Sequence, residues 1–152
     1  MRLGWKAAWA GVMPVIAWCQ AGAEPYLRNV RQLTDDATYQ KAGEAYFGAN
    51  DEVIVYQAVT PEGHYYQIYG MNPAGTQQRL LSPGKGKPTC AYVDPSAPTR
   101  FLFASTHLDP RTHGPPPPKK GHGYQWDYDG SMDIFVGTLG SGPATDVTRL
   151  TT

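Results

Sequence analysis

The sequence predicts an all-β fold, and three observations predict it. Apolar and aromatic runs are short and are separated by turn residues. The chain carries 17 Gly, 14 Pro and 10 Tyr, a composition of strands joined by many turns rather than of helices. One pattern also returns along the chain. Val53-Ile54-Val55-Tyr56, a turn at Pro61-Glu62-Gly63, Tyr66-Gln67-Ile68-Tyr69, a turn at Asn72-Pro73-Ala74-Gly75 and Gln78-Arg79-Leu80-Leu81 form the first copy. Phe101-Leu102-Phe103-Ala104, Met132-Asp133-Ile134-Phe135-Val136 and Thr148-Arg149-Leu150-Thr151 form the second. At 152 residues and 41% hydrophobic, the chain can bury one modest core.

The N-terminus has the grammar of an export signal. Arg2 and Lys6 supply a positive start, residues 7–18 are mostly apolar, and Ala21-Gly22-Ala23 offers the small residues a signal peptidase accepts. Residues 1–23 are therefore read as a signal peptide and 24–29 as a lead-in, which gives an exported, periplasmic or secreted chain with no membrane span after cleavage. The alternative, a retained anchor, is disfavoured by a short apolar stretch interrupted by Gly11 and Pro14. Lipid attachment at Cys19 is disfavoured by the bulk of Trp18 before it. With Cys19 removed, Cys90 lacks a partner, and Cys90-Ala91-Tyr92-Val93 reads as a buried strand with an inert thiol rather than a nucleophile. Without Arg2 and Lys6 the 13 basic residues fall to 11 against 13 acidic ones, and no cationic tract remains to neutralise phosphates. Nucleic acid is excluded as an expected partner.

In chain order, Val30-Arg31-Gln32-Leu33-Thr34 is the first appearance of a closing-strand pattern that returns at Arg79-Leu80-Leu81-Ser82 and Arg149-Leu150-Thr151. Strands are expected near 44–47, 52–58, 65–71 and 77–81, in a unit spanning 30–81. Gly48-Ala49-Asn50-Asp51 joins the first pair, using residue types that tolerate positive φ. A second unit, 82–152, places strands near 90–93, 100–106, 131–138 and 145–150, with Asp94-Pro95-Ser96-Ala97-Pro98 as its first turn. The last residues are expected to open a third unit. The runs at Val53 and Phe101 are continuous enough to predict strands covered on both faces.

The two periods differ: Leu33 to Leu80 is 47 positions (80 − 33), Leu80 to Leu150 is 70 (150 − 80). An insertion at 107–130 accounts for the excess. Pro115-Pro116-Pro117-Pro118 cannot donate to a sheet ladder, so this segment is expected to leave the sheet as a surface loop. Lys85, Lys87, Lys119 and Lys120 sit among Gly and Pro and read as solvated.

These residues resemble the WD-like β-propeller repeat of the TolB family. Arg31-Gln32-Leu33-Thr34 and Thr148-Arg149-Leu150-Thr151 match its closing strand, Gln67-Ile68-Tyr69 and Asp133-Ile134-Phe135-Val136 its third strand, and Asn72 to Gly75 its following turn. The turns at Gly48 and Asp94 depart from the pattern. The resemblance covers residues 30–152 and implies β-propeller blades, about two of four antiparallel strands plus the start of a third, in an incomplete ring. Self-association follows as an expectation if no further blades close that ring.

Catalytic signatures are missing: Ser141 lies in a Gly140-Ser141-Gly142 turn, and Gly84-Lys85-Gly86-Lys87 lacks the spacing of a phosphate loop. His64, His107, His113 and His122 have no metal-ligand spacing. Asp127, Asp129 and Asp133 are weak metal candidates, since Asp129-Gly130 reads equally as a turn. No cofactor is expected. Tyr124, Trp126 and Tyr128 alternate, so an extended chain puts them on one face, where they pack or bind. With His113 and His122 they are the candidate partner-binding residues. The resemblance implies a non-enzymatic, TolB-like scaffold that docks a protein partner at its loops. The alternatives are the propeller part of a longer prolyl-oligopeptidase-like hydrolase and a carbohydrate-binding module.

Overall fold

The structure, a computed structural model, describes residues 26–118 and 129–152. Eight strands follow one another: β1 (Lys41–Phe47), β2 (Ile54–Val59), β3 (Gln67–Met71), β4 (Arg79–Leu80), β5 (Thr89–Val93), β6 (Arg100–Ser105), β7 (Asp133–Thr138) and β8 (Val147–Arg149). They make two four-stranded antiparallel sheets, ordered β1-β2-β3-β4 and β5-β6-β7-β8. The described residues hold no α-helix, only two short 3-10 turns at Ala49–Asp51 and Pro110–Thr112. The fold is all-β. Tyr65 and Tyr66, expected in β3, precede it, because the turn after β2 runs on to Tyr66.

Each sheet is a meander, and the two share a set of equivalent hydrogen bonds. The amide of Gly48 donates to the Val53 carbonyl (2.7 Å) in the first hairpin, and that of Asp94 to the Arg100 carbonyl (2.9 Å) in the second. Leu81 N–H donates to the Ile68 carbonyl and Leu150 N–H to the Ile134 carbonyl, both at 2.8 Å. The hydroxyl of Ser82 accepts from Ile68 N–H (3.0 Å) and donates to Gln67 Oε1 (2.7 Å). The Thr151 hydroxyl likewise accepts from Ile134 N–H (3.0 Å) and donates to Asp133 Oδ1 (2.8 Å). Leu81-Ser82 therefore corresponds to Leu150-Thr151, one position along from the expected match of Leu80 with Leu150. The last residues, expected to open a third unit, instead finish the second. Ile54 corresponds to Phe101, 47 positions on (101 − 54), and Ile68 to Ile134, 66 on (134 − 68). The β6–β7 connection is thus longer than its counterpart by 19 residues (66 − 47).

Both first strands carry a bulge at the same place, at Glu44 (φ 46) in β1 and at Cys90 (φ 55) in β5. A bulge leaves one residue unpaired and turns its side chain off the regular alternation. Cys90, expected to be buried, is exposed, as is Tyr92, while Ala91 and Val93 between and after them are buried. The 30–34 segment is not a strand. Leu33 nonetheless repeats the placement of Leu81: the Gln78 side chain donates to the Leu33 carbonyl (3.1 Å), as Ala144 N–H does to that of Leu81 (2.8 Å).

The two sheets pack within one compact unit, Gln32–Thr152. Alternation along β2 aims Val55 and Gln57 toward the second sheet and Ile54, Tyr56 and Ala58 away from it. Val55, Ile68 and Leu81 meet Ala91, Val93, Phe101, Phe103 and Phe135 in one cluster, with ring centroids of Phe103 5.3 Å from Phe101 and 5.7 Å from Phe135. A fully buried apolar side chain of this size contributes about 1.5–3 kcal/mol, whereas a lone hairpin is marginal. The sheet-to-sheet contact therefore holds the unit. On the other face of the first sheet, Tyr39, Tyr56 and Tyr69 form a ring cluster, joined by a hydrogen bond between the Tyr39 and Tyr56 hydroxyls (2.9 Å). Burial, with that hydrogen bond second, pushes the Tyr56 phenol above its ordinary range. β2 is buried on both faces, as the sequence predicts. β6 is not: Leu102 is 39% exposed, because no sheet among the described residues covers the far side.

Candidate functional site

Successive hairpins of a meander turn at alternate ends. The β2–β3 turn (60–66), the β4–β5 link (81–88) and the β6–β7 connection (106–132) consequently share one end. Close backbone approach ties the last two together. Gly86 has φ +71, and a Cβ there would stand 2.6 Å from the His107 Cα. Lys87 N–H donates to the Thr106 hydroxyl (3.0 Å), and Gln67 Nε2 to the Gly86 carbonyl (3.3 Å).

The insertion begins as a folded element rather than a free loop. Asp109 caps a short turn with Pro at its first position, where the missing N–H costs nothing. Its Oδ1 accepts from Arg111 N–H (3.0 Å), and the Arg111 guanidinium grips the carboxylate through Nε (3.0 Å) and Nη2 (2.6 Å). The side-chain hydrogen bonds from Arg111, then its backbone N–H, hold the Asp109 carboxyl down at about 2. Thr106 donates to the Thr112 hydroxyl (2.8 Å), which is shared between the carbonyls of Asp109 (2.8 Å) and Thr106 (3.1 Å). Thr106, His107 and Thr112 are all buried. The described part of 107–130 lies outside the sheet, and His107 and Thr112 within it are buried against the end of β6.

His107 stands over Phe135, with centroids 4.3 Å apart, and near Phe103 at 6.1 Å. Burial, then the nearby Lys85 and His113, lower its affinity for a proton. Its Nδ1 finds no hydrogen-bond partner among the described residues. His113 Nε2 donates to the His107 carbonyl (2.9 Å), so one ring nitrogen of this candidate residue is spent on the fold.

A groove of about 440 Å³ opens between these loops, lined by Tyr65, Lys87, Asp109, Arg111, Pro117 and Asp129. Lys87 Nζ lies 3.0 Å from Asp129 Oδ2 and 5.3 Å from the centroid of the Tyr65 ring. With its side chain 20% exposed, Lys87 is not the solvated loop residue expected. Asp129 Oδ1 accepts from the hydroxyl (2.7 Å) and N–H (3.1 Å) of Ser131. Hydrogen bonds from Ser131, then Lys87, lower the Asp129 carboxyl. The groove is lined about equally by polar and apolar surface, and the described charges along it are paired. Such an arrangement favours recognition by exchange of hydrogen bonds and ion pairs.

Of the sequence-predicted residues, the described ones, His113, Asp129 and Asp133, are not brought together. Asp129 answers Lys87, while Asp133 lies in β7, where hydrogen bonds from Arg149 (2.7 Å) and then Thr151 lower its carboxyl. Among the described residues no three His, Cys, Asp or Glu side chains gather to hold a metal. Asp127, His122, Tyr124, Trp126 and Tyr128 lie outside the described residues, as do Lys119, Lys120 and residues 1–25, where the signal peptide is expected. Tyr65, Lys87, Asp109 and Arg111 were not anticipated. Asp109-Pro110 before Arg111 is a helical-turn start that could have announced the anchor.

A second opening, of about 380 Å³, lies on the far face of the first sheet, among Leu33, Ala42, Phe47, Ile54, Tyr56 and Met71. It is apolar. No helix among the described residues is long and apolar enough to cross a membrane. Comparison with protein-family models, with curated proteins and with solved structures finds no match.

Proposed function

We propose that residues 32–152 are two neighbouring blades of a TolB-like β-propeller, exported to the periplasm or beyond, which acts without catalysis as a scaffold for a protein partner. The repeated meanders, packed face to face, support the propeller reading. The anchored rim carries the functional one. Asp109, Thr112 and His113 hold the start of the β6–β7 connection, and Lys87 ties Asp129 to the same rim, so the described parts of this connection are fixed by contacts to the sheet end. Preorganisation of this kind lowers the ordering cost of docking. The test is a photoreactive residue at Pro117 on this rim, with Ala74 in the β3–β4 turn at the opposite end as control. Cross-linking in the producing cell should give a discrete protein adduct from position 117 and none from 74. Adducts from both or from neither would contradict the proposal.

A further inference from the structure

His107 is a titratable side chain seated where the β6–β7 connection leaves β6, and it is 6% exposed. Its ring lies against Phe135 and Phe103, which belong to the cluster between the sheets. The backbone is held as closely as the ring. The His107 N–H donates to the Ser105 hydroxyl (3.1 Å), its carbonyl accepts from His113, and its Cα stands against Gly86. A displacement of the ring therefore displaces the chain around it, from Thr106 to His113.

A neutral imidazole suits this seat and a charged one does not, because burying an ion without a counter-charge costs far more than burying a neutral ring. The titratable groups facing His107 are Lys85 from the β4–β5 link and His113 from the short turn; both are basic and oppose a charge on the ring. β6 and β7 present the rings of Phe103 and Phe135. The described carboxylates on the adjoining elements are engaged: Asp109 by Arg111, Asp129 by Lys87 and Ser131, Asp133 by Arg149 and Thr151. All three are held below the ordinary carboxylate range, so in mild acid they stay ionised while an imidazole in water takes up a proton. We propose that His107 is a proton-operated latch: its protonation withdraws the ring from Phe135 and lifts the 106–113 segment off the end of β6, while the two sheets stay packed. The sheets stay because Val55, Ile68 and Leu81 meet Phe101, Phe103 and Phe135 without any ionisable group. Apart from the His107 ring, the segment is tied to the sheet end by isolated hydrogen bonds such as that from Lys87 N–H to the Thr106 hydroxyl. The inference rests on the packing of this segment and not on the docking proposal.

The test is amide hydrogen exchange of the full chain by nuclear magnetic resonance, read as protection relative to unstructured peptide at each pH, with a low-urea series. The amides of Lys87 and Asp109, which donate to the Thr106 hydroxyl and carbonyl, report the opening. An opened imidazole titrates near its ordinary value of about 6.5, so their protection should fall about tenfold between about pH 7.5 and about pH 5.5. At the lower pH their exchange should not depend on urea, the mark of a local opening. His107→Phe places an uncharged ring in the seat and should hold protection constant over this range, as should His107→Gln if the larger ring disturbs the packing. His113→Gln leaves the His107 ring in place and should retain the fall. Protection that does not change with pH in the wild type would overturn the proposal. So would a fall that persists in both His107 variants or vanishes in His113→Gln. Exchange at Lys87 and Asp109 that rises with urea in step with that of the buried Leu81 would overturn it too, since the whole unit would then be unfolding.

Discussion

Ser82 and Thr151 make the same two hydrogen bonds in two different surroundings, so their removal separates the bonds from their burial. Ser82 is fully buried where the sheets meet, with its acceptor partner Gln67 at 2.7 Å and its donor partner Ile68 at 3.0 Å. Ser82→Ala removes only the hydroxyl and leaves the Ile68 amide in a dry environment. A buried donor stranded in this way costs about 1–3 kcal/mol. The loss of the bond to the half-buried Gln67 places the expected destabilisation at about 2–3 kcal/mol. Thr151 repeats the geometry at 2.8 and 3.0 Å but is exposed, so water replaces its hydroxyl. Thr151→Val should cost less than about 1 kcal/mol. Urea denaturation at low protein concentration reads both. With a slope of about 1–3 kcal/mol per molar, the Ser82→Ala midpoint should fall by roughly 1 M and the Thr151→Val midpoint by a few tenths. Equal losses at the two sites would refute the reasoning, since they would mean that Ser82 is as wet as Thr151.

Two further outcomes follow from the rim. His107 takes a proton less readily in the fold than its ordinary value of about 6.5, so its neutral form is the one the fold accommodates. Its contribution is fully present above about pH 6.5 and is lost as pH falls below that; urea midpoints should decline between pH 7 and pH 5, and His107→Phe should flatten the decline. An unchanged profile in the variant would contradict this role. Gly86→Ala places a Cβ 2.6 Å from the backbone of His107 at a positive φ, and should destabilise by about 2 kcal/mol or more. Gly130→Ala meets no atom within 4 Å and should be close to neutral in the same melt.

Most of the fold was legible because periodicity carries it. The apolar runs at Ile54 and Phe101, the Asp133-Ile134-Phe135 strand and the turns at Gly48 and Asn72 all appear where their patterns place them. What escaped was set by contacts far apart in the chain. The alternation along β6 could not reveal which side of Leu102 is covered, because that depends on whether another sheet is present. Cys90 departs from its expected burial because only Ala91 and Val93 of its strand are buried, and the apolar letters of Cys90-Ala91-Tyr92-Val93 do not show which of them alternate inward. The match of Leu80 with Leu150 slipped by one because adjacent leucines at 80 and 81 are equivalent as letters; only the hydrogen bonds to Ile68 and Ile134 distinguish them. The site was less legible than the fold. Lys87 and Asp129 are 42 residues apart in sequence, and nothing local to either announces the pair.

The central claim is that the chain folds as two copies of one sheet, with the first copy's Val55, Ile68 and Leu81 buried against the second copy's aromatic face. Methyl-to-aromatic nuclear Overhauser contacts at low protein concentration test it most directly. The account predicts cross-peaks from the methyls of Val55, Ile68 and Leu81 to the rings of Phe101, Phe103 and Phe135, and none to those rings from Leu102 or Ile134. Cross-peaks from Leu102 and Ile134 in place of Val55 and Ile68 would mean that the sheets meet by their other faces, and would contradict it.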